Sequence, residues 1–189
     1  LVHGGRPPGV EGASYVDVDN VGGARTALAH LLSRGHRCVA TIAGPPDMQA
    51  GRDRLRGYRE ALEAGGLTYD PDLVEEGDFT EPGGWRAMRA LLARQPGVDA
   101  VFAASDPMAL GALRALREAG RAVPSEVAVV GFDDSPMATM SASPNPSPAR
   151  EAVHMPPTLR APLGITPANV LHAPLAWLHD RLGPGPAAG

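Results

Sequence analysis

The chain has 189 residues, a net charge of −4 and an apolar share of 43%, which allows one domain with a real core and leaves no basic footprint for nucleic acid over the whole length. All 17 basic residues are Arg, which we read as coding bias in a GC-rich genome, and a single cysteine, Cys38, excludes an internal disulfide. No apolar run approaches the roughly 18–20 residues of a membrane span, and the opening LVHGGRPPG has no signal-peptide pattern, so a cytoplasmic protein is the expectation.

Residues 21–134 alternate between two kinds of pattern. From Gly22 to Ser33 the spacing of Ala24, Ala27, Leu28, Leu31 and Leu32 predicts a helix, with Asn20 as N-cap and Gly35 as its stop. Arg37 to Ala43 reads as a short apolar strand. A second helix follows over Arg52–Ala64, with Leu55, Tyr58 and Leu62 inward. Leu73 and Val74 mark a strand that ends near Gly77, and Pro82 opens a third helix carrying Trp85, Met88, Leu91 and Leu92. Asp99 to Ala104 is a strand. Asp106 then caps a fourth helix with Pro107 at its first position, where a missing N–H costs nothing. Glu126–Val130 is the fourth strand. Strands alternating with helices in this way imply right-handed crossovers, so the expected class is α/β with a parallel sheet and helices on both faces.

The flanks read differently. Residues 1–13 have Pro and Gly pairs and no period. The last 46 residues, 144–189, hold 10 of the 20 Pro and only five charged residues, a density of Pro that interrupts helices and ladders. One short helix over 168–182 is expected there, in an otherwise disordered or poorly packed tail. The expected division is a remnant and crossover over 1–20, a folded unit over 21–135 and an atypical Pro-rich tail over 136–189.

In a parallel α/β sheet, ligands bind beyond the carboxyl ends of the strands. Those ends carry Gly44-Pro45-Pro46, Asp78-Phe79, Ser105-Asp106 and Phe132-Asp133-Asp134, so four loops bring polar or aromatic groups to one edge. Each has a plainer reading beside the functional one. Asp106 serves first as a cap, and Asp133 and Asp134 suit a turn as well as a site. Phe79, on a polar loop, is harder to place in a core and fits a stacking role. Arg52, Arg54, Arg56 and Arg59 lie at helical spacing and are mostly a solvated face, with one or two reaching a cleft. Cys38 is a small core residue. Asp17 and Asp19 share a side of an extended stretch with no further ligand, and His30 and His36 lack a ligand set, so neither a metal site nor a cofactor is expected. With no GxxxxGK[ST] loop and no GxSxG elbow, nothing asks for an enzyme.

VDVDNVGGA (16–24), HLLSRGHRCVATIAGP (30–45), RLRGYREAL (54–62), VFAASDPMALGALRAL (101–116) and VPSEVAVVGFDDSP (123–136) closely resemble the lactose-repressor (LacI/GalR) family of bacterial transcription regulators. The resemblance runs over about residues 1–140, in order and at the right spacings. It implies one lobe of a type I periplasmic-binding-protein-like fold, from a protein with a helix-turn-helix head, a hinge and a two-lobed domain that grips a small effector such as a sugar. It places the effector-binding Arg on Arg54, the stacking aromatic on Phe79, a polar contact on Ser105 and the effector-binding acid on Asp133. It further implies a homodimer in the intact family member, and operator DNA as a partner only through a head that would lie upstream of this sequence.

Two departures from the family pattern shape the expectation. The sequence starts well inside the family's, so the head, the hinge and most of the first lobe are expected to be missing. The family would place Pro-Leu-Thr-Thr soon after GFDDSP, where this chain has NPSPARE; codons that spell Asn-Pro-Ser-Pro can spell Pro-Leu-Thr in another frame, so a frameshift near residue 144 is expected. The competing readings are a sugar-binding subunit of a transporter, a phospho-acceptor or enzyme using Asp133 or Asp134, and a non-functional gene remnant.

Overall fold

A computed structural model of the chain describes residues 2–4 and 14–133. The helix expected over 168–182, Asp134, the frame change near 144 and the tail all lie outside the described residues. Two short strands, β1 (Val2–Gly4) and β2 (Ser14–Val16), pair in parallel in a small sheet of their own. The chain then enters the regular unit: α1 (Asn20–Ser33), β3 (Val39–Ala43), α2 (Gln49–Ala64), a single 3-10 turn at Pro71–Leu73, β4 (Val74–Glu76), α3 (Glu81–Arg94), β5 (Ala100–Ala103), α4 (Asp106–Glu118) and β6 (Ala128–Val130). Every element read from the sequence in 21–134 is present, with ends displaced by a few residues.

The four strands form one parallel sheet in the order β4-β3-β5-β6. Its two faces are built by the period-2 alternation of strand side chains. Val39, Ala100 and Phe102 face α1 and α2, where Ala24, Leu28, Leu31, Tyr58 and Leu62 meet them. Ala40, Ile42, Val101 and Ala103 face α3 and α4, packed by Met88, Leu91, Met108, Ala112 and Leu116. Because both faces are covered, β3 and β5 are buried along their whole length and read in sequence as continuous apolar runs. The buried Tyr58 hydroxyl donates to the Val39 carbonyl at 2.8 Å, tying α2 to β3, and burial raises its pKa well above the usual tyrosine value. Cys38 is half-buried against the α3–α4 side of the core.

Two caps differ from the sequence expectation. Asp19, not Asn20, caps α1, its carboxylate accepting from Gly22 N–H at 2.8 Å. Asn20 is already the first helical residue, and its side chain turns away into the protein. Likewise Ser105, with extended backbone at φ −160° and ψ 159°, caps α4 by accepting from Met108 N–H, and Asp106 is the first residue of that helix. In both places the polar residue immediately before a second polar one has the non-helical dihedrals a cap requires.

Helices α3 and α4 cross at a pair of glycines. A Cβ on Gly111 would stand 2.1 Å from the Glu81 carbonyl oxygen and 2.5 Å from Trp85 N, and one on Gly84 would stand 2.2 Å from the Met108 carbonyl oxygen. These are backbone atoms, which cannot yield as a flexible side chain can, so the crossing distance depends on hydrogen at both positions. Gly111→Ala should therefore lower the urea midpoint with an unchanged slope, at a cost of about 1–3 kcal/mol typical of overpacking.

Candidate functional site

The strand order fixes where a ligand can sit. From β3 the chain moves outward to β4, then returns past β3 to β5 and continues to β6. The connection leaving β3 therefore runs to α2 on one face and that leaving β5 runs to α4 on the other, which opens a crevice between the two strand ends. Arg54 fills the floor of this crevice. It lies on α2, but its side chain reaches back over the sheet edge and is 7% exposed.

Its guanidinium is held on every side. Nε donates to Asn20 Oδ1 at 2.9 Å, Nη1 to the Ala104 carbonyl at 2.6 Å and Nη2 to Asp133 Oδ1 at 3.1 Å. The Phe132 ring lies beneath it, with its centroid 3.8 Å from Cζ, and the Phe79 ring stands 5.7 Å away. Burial pulls the pKa of Arg54 below the ordinary value, while the charge and hydrogen bond of Asp133, and the charges of Asp17 and Asp106, push it back up. The result is a cation with fixed direction, flanked by aromatic faces that attract it through their quadrupoles.

Three of the four residues expected from the sequence thus converge directly. Arg54, Phe79 and Asp133 meet in one cluster, and Ser105 sits beside it, next to the Ala104 carbonyl that Arg54 holds. Ser105 is 3% exposed and its hydroxyl oxygen is engaged in capping α4. The other three arginines of the run are exposed, as a solvated face should be: Arg52 donates to the Pro46 carbonyl, Arg56 pairs with Glu60, and Arg59 lies over Tyr69. Asp106 is buried at the start of α4, its carboxylate close against Gly131.

Asn20 is absent from the sequence expectation for the site, and Phe132 enters it only as part of a strand-end loop, without a role of its own. Asn20 resembles a cap from its position alone, and Phe132 resembles core, which it also is, stacked edge to face on Phe102 with centroids 6.5 Å apart. Only the fold turns both toward Arg54.

The backbone on both sides of the cleft is unusual. Phe79 has φ 62° and Asp133 has φ 97°, the only non-glycine residues with positive φ among the described residues. Such conformations cost on the order of 1–3 kcal/mol and gather at functional sites, where surrounding structure imposes them. At Phe79 the imposition is visible. Gly44, at the end of β3, leaves room for its ring, since a Cβ there would stand 2.3 Å from Phe79 Cζ.

A family model described as periplasmic binding protein-like domain matches residues 28–156. The chain belongs to this family. Within the family its relatives are LacI-type regulators. It is 63% identical over 139 residues to the HTH-type transcriptional regulator CelR of Thermobifida fusca, covering 72% of this chain and 41% of that protein. It is 38% identical over 146 residues to the HTH-type transcriptional repressor CytR of Escherichia coli, covering 73% and 42%. Among solved structures, the CelR–cellobiose complex superposes with a TM-score of 0.70 at 62% identity, covering 72% of this chain and 42% of that one. The chain therefore spans about two fifths of the length of the curated relatives it matches. Among the described residues no helix is long and apolar enough to cross a membrane, and no cluster of three or more His, Cys, Asp or Glu could hold a metal ion.

Asp78 anchors the loop that presents Phe79. Its carboxylate accepts from the Thr80 hydroxyl at 2.5 Å and Thr80 N–H at 3.0 Å, bonds that hold its pKa below the usual carboxylate range, with Arg86 at 2.9 Å reinforcing them. A carboxylate with a depressed folded pKa contributes stability above its unfolded pKa of about 4 and loses it as pH falls through the folded value. Asp78→Asn should accordingly flatten the acid limb of a stability-versus-pH curve, read as urea midpoints from neutral pH down through the carboxylate range.

Proposed function

We propose that residues 21–135 are the second lobe of the effector domain of a LacI-type transcription regulator, and that the effector is a small sugar. In this reading residues 1–20 belong to the first lobe and the crossover. Arg54, Phe79, Ser105 and Asp133 contact the ligand: Arg54 donates to hydroxyl oxygens, the Asp133 carboxylate accepts from hydroxyls, Ser105 supplies a further polar contact, and Phe79 covers the apolar face of a sugar ring. Charge-assisted bonds of this kind are about twice as strong as neutral ones, and a flat ring beside them selects a ligand with one apolar face. The observation that carries the reading is the buried Arg54 fork fixed between Asp133 and two aromatic rings at the sheet's switch point.

The relatives' names give the reading its regulatory half. CelR and CytR are helix-turn-helix regulators, which favours a cytoplasmic, ligand-controlled regulator over a transport subunit or an enzyme. Operator DNA would be bound by a head outside this sequence, in a homodimer whose two sets of lobes respond to the effector. The identity with CelR, whose solved complex contains cellobiose, makes that disaccharide the first ligand to try.

Titration calorimetry of the 189-residue chain with cellobiose, alongside lactose, maltose, glucose and ribose, tests this directly. Saturable heat with cellobiose is the expected result. Phe79→Ala should weaken it about tenfold, the worth of one aromatic contact. Arg54→Ala should weaken it roughly 10- to 100-fold, the range for hydrogen bonds to a charged group. No saturable heat with any of the five sugars would overturn the sugar assignment.

A further inference from the structure

We propose that Asn20 is a positioning residue for the ligand site: its side-chain amide sets the plane of the Arg54 guanidinium and ties that plane to the connector between β2 and α1. The amide is used at both ends. Oδ1 accepts from Arg54 Nε at 2.9 Å, while Nδ2 donates to Asp17 Oδ1 and to the Val18 carbonyl, each at 3.2 Å. The orientation of the amide is forced by its neighbours, because a guanidinium has no acceptor to offer an NH2 group and a carboxylate has no donor to offer a carbonyl. Asn20 is 3% exposed, so water does not substitute for these bonds.

The choice of amide over carboxylate has a chemical reason. Nε is the N–H nearest the side-chain stem, and fixing it fixes where both Nη groups point. Holding it with a neutral oxygen leaves Asp133 as the carboxylate paired with the guanidinium among the described residues, and adds no further negative charge at Nε. A carboxylate at position 20 would also fix Nε, but it would cancel the charge and face the Asp17 carboxylate and the Val18 carbonyl across the present 3.2 Å contacts. Asn20 is therefore a link as well as a clamp. A change in the connector at Asp17 and Val18 reaches Arg54 through one side chain, and a ligand pulling on Arg54 reaches the connector by the same route.

The geometric half of the proposal stands without a ligand, whereas its consequence for affinity rests on the effector reading above, and the test keeps the two apart. In nitrogen-15 NMR spectra of the full chain, the Arg54 Nε–H signal is assigned by its loss in R54K. In the wild type it should be sharp and slow to exchange with solvent. N20A should speed that exchange by about tenfold or more, as loss of one hydrogen bond to a charged group implies. N20D, which keeps an acceptor but exchanges a carbonyl oxygen for a carboxylate, should leave the signal protected and shift it downfield. A side chain with a merely structural role would lower the unfolding midpoint and leave the Arg54 signal where it was. An Arg54 signal unchanged in N20D, or equally protected in a folded N20A, overturns the proposal. N20D decides the question if N20A fails to fold. In parallel, cellobiose titration should show N20A about tenfold weaker than wild type; equal affinity for a wild type that binds would overturn the positioning role, whereas a wild type that binds no cellobiose overturns the effector assignment and leaves the NMR result to judge Asn20.

Discussion

Taking a guanidinium out of water costs several kcal/mol unless its donors and its charge are met. Arg54 is 7% exposed, and its surroundings are arranged around that requirement. A backbone carbonyl from the end of β5, an amide from the first residue of α1, and a carboxylate from just beyond β6 each take one bond, and the ring of Phe132 takes the face. Four residues from three separate parts of the fold are thus bound to one side chain on α2. The carboxyl edge of the sheet owes its fixed shape to this convergence, and the cleft inherits it.

The topology explains why such an arrangement is available here. At β3 and β5 the connections leave to opposite faces and in opposite directions along the sheet, β3 outward to β4 and β5 outward to β6. A long side chain from α2 can reach the crevice, and the loops ending β4 and β6 bring Phe79 and Asp133 to its rim. The two apolar clusters, one on each face, hold the strands in register without taking part in the polar chemistry at their ends.

Much of this was legible in the sequence. The alternation of apolar runs and amphipathic stretches predicted the four strands and four helices, because a doubly covered strand and a half-covered helix bury residues with different periods. Arg54, Phe79, Ser105 and Asp133 were expected at the site from their place in motifs resembling a known family, and three of them meet at one cluster. What the sequence did not disclose was assignment among adjacent polar residues. Asp19 and Asn20, or Ser105 and Asp106, are each plausible caps, and the decision depends on which of the two has non-helical dihedrals. At the first pair the residue released from capping is the one that holds Arg54. The contact of Phe132 with Arg54 was hidden for a different reason: an aromatic at a strand end satisfies the core pattern whether or not its other face meets a cation. The pairing of Val2–Gly4 with Ser14–Val16 likewise follows from contact between distant segments, which no local period records.

On the effector reading, Phe79 imposes a filter on how this cleft could change its ligand over generations. At φ 62° its backbone occupies a region that glycine, asparagine and aspartate enter readily and that bulky side chains seldom do. The residues easiest for the main chain are therefore the ones with no ring to offer, and an aromatic can remain only while its neighbours continue to hold the loop in place. A lineage drifting toward a new small molecule would meet conformation before chemistry at this position. Its most accessible steps would discard the stacking surface altogether, so altered specificity should be easier to reach through the residues around the ring than through the ring itself.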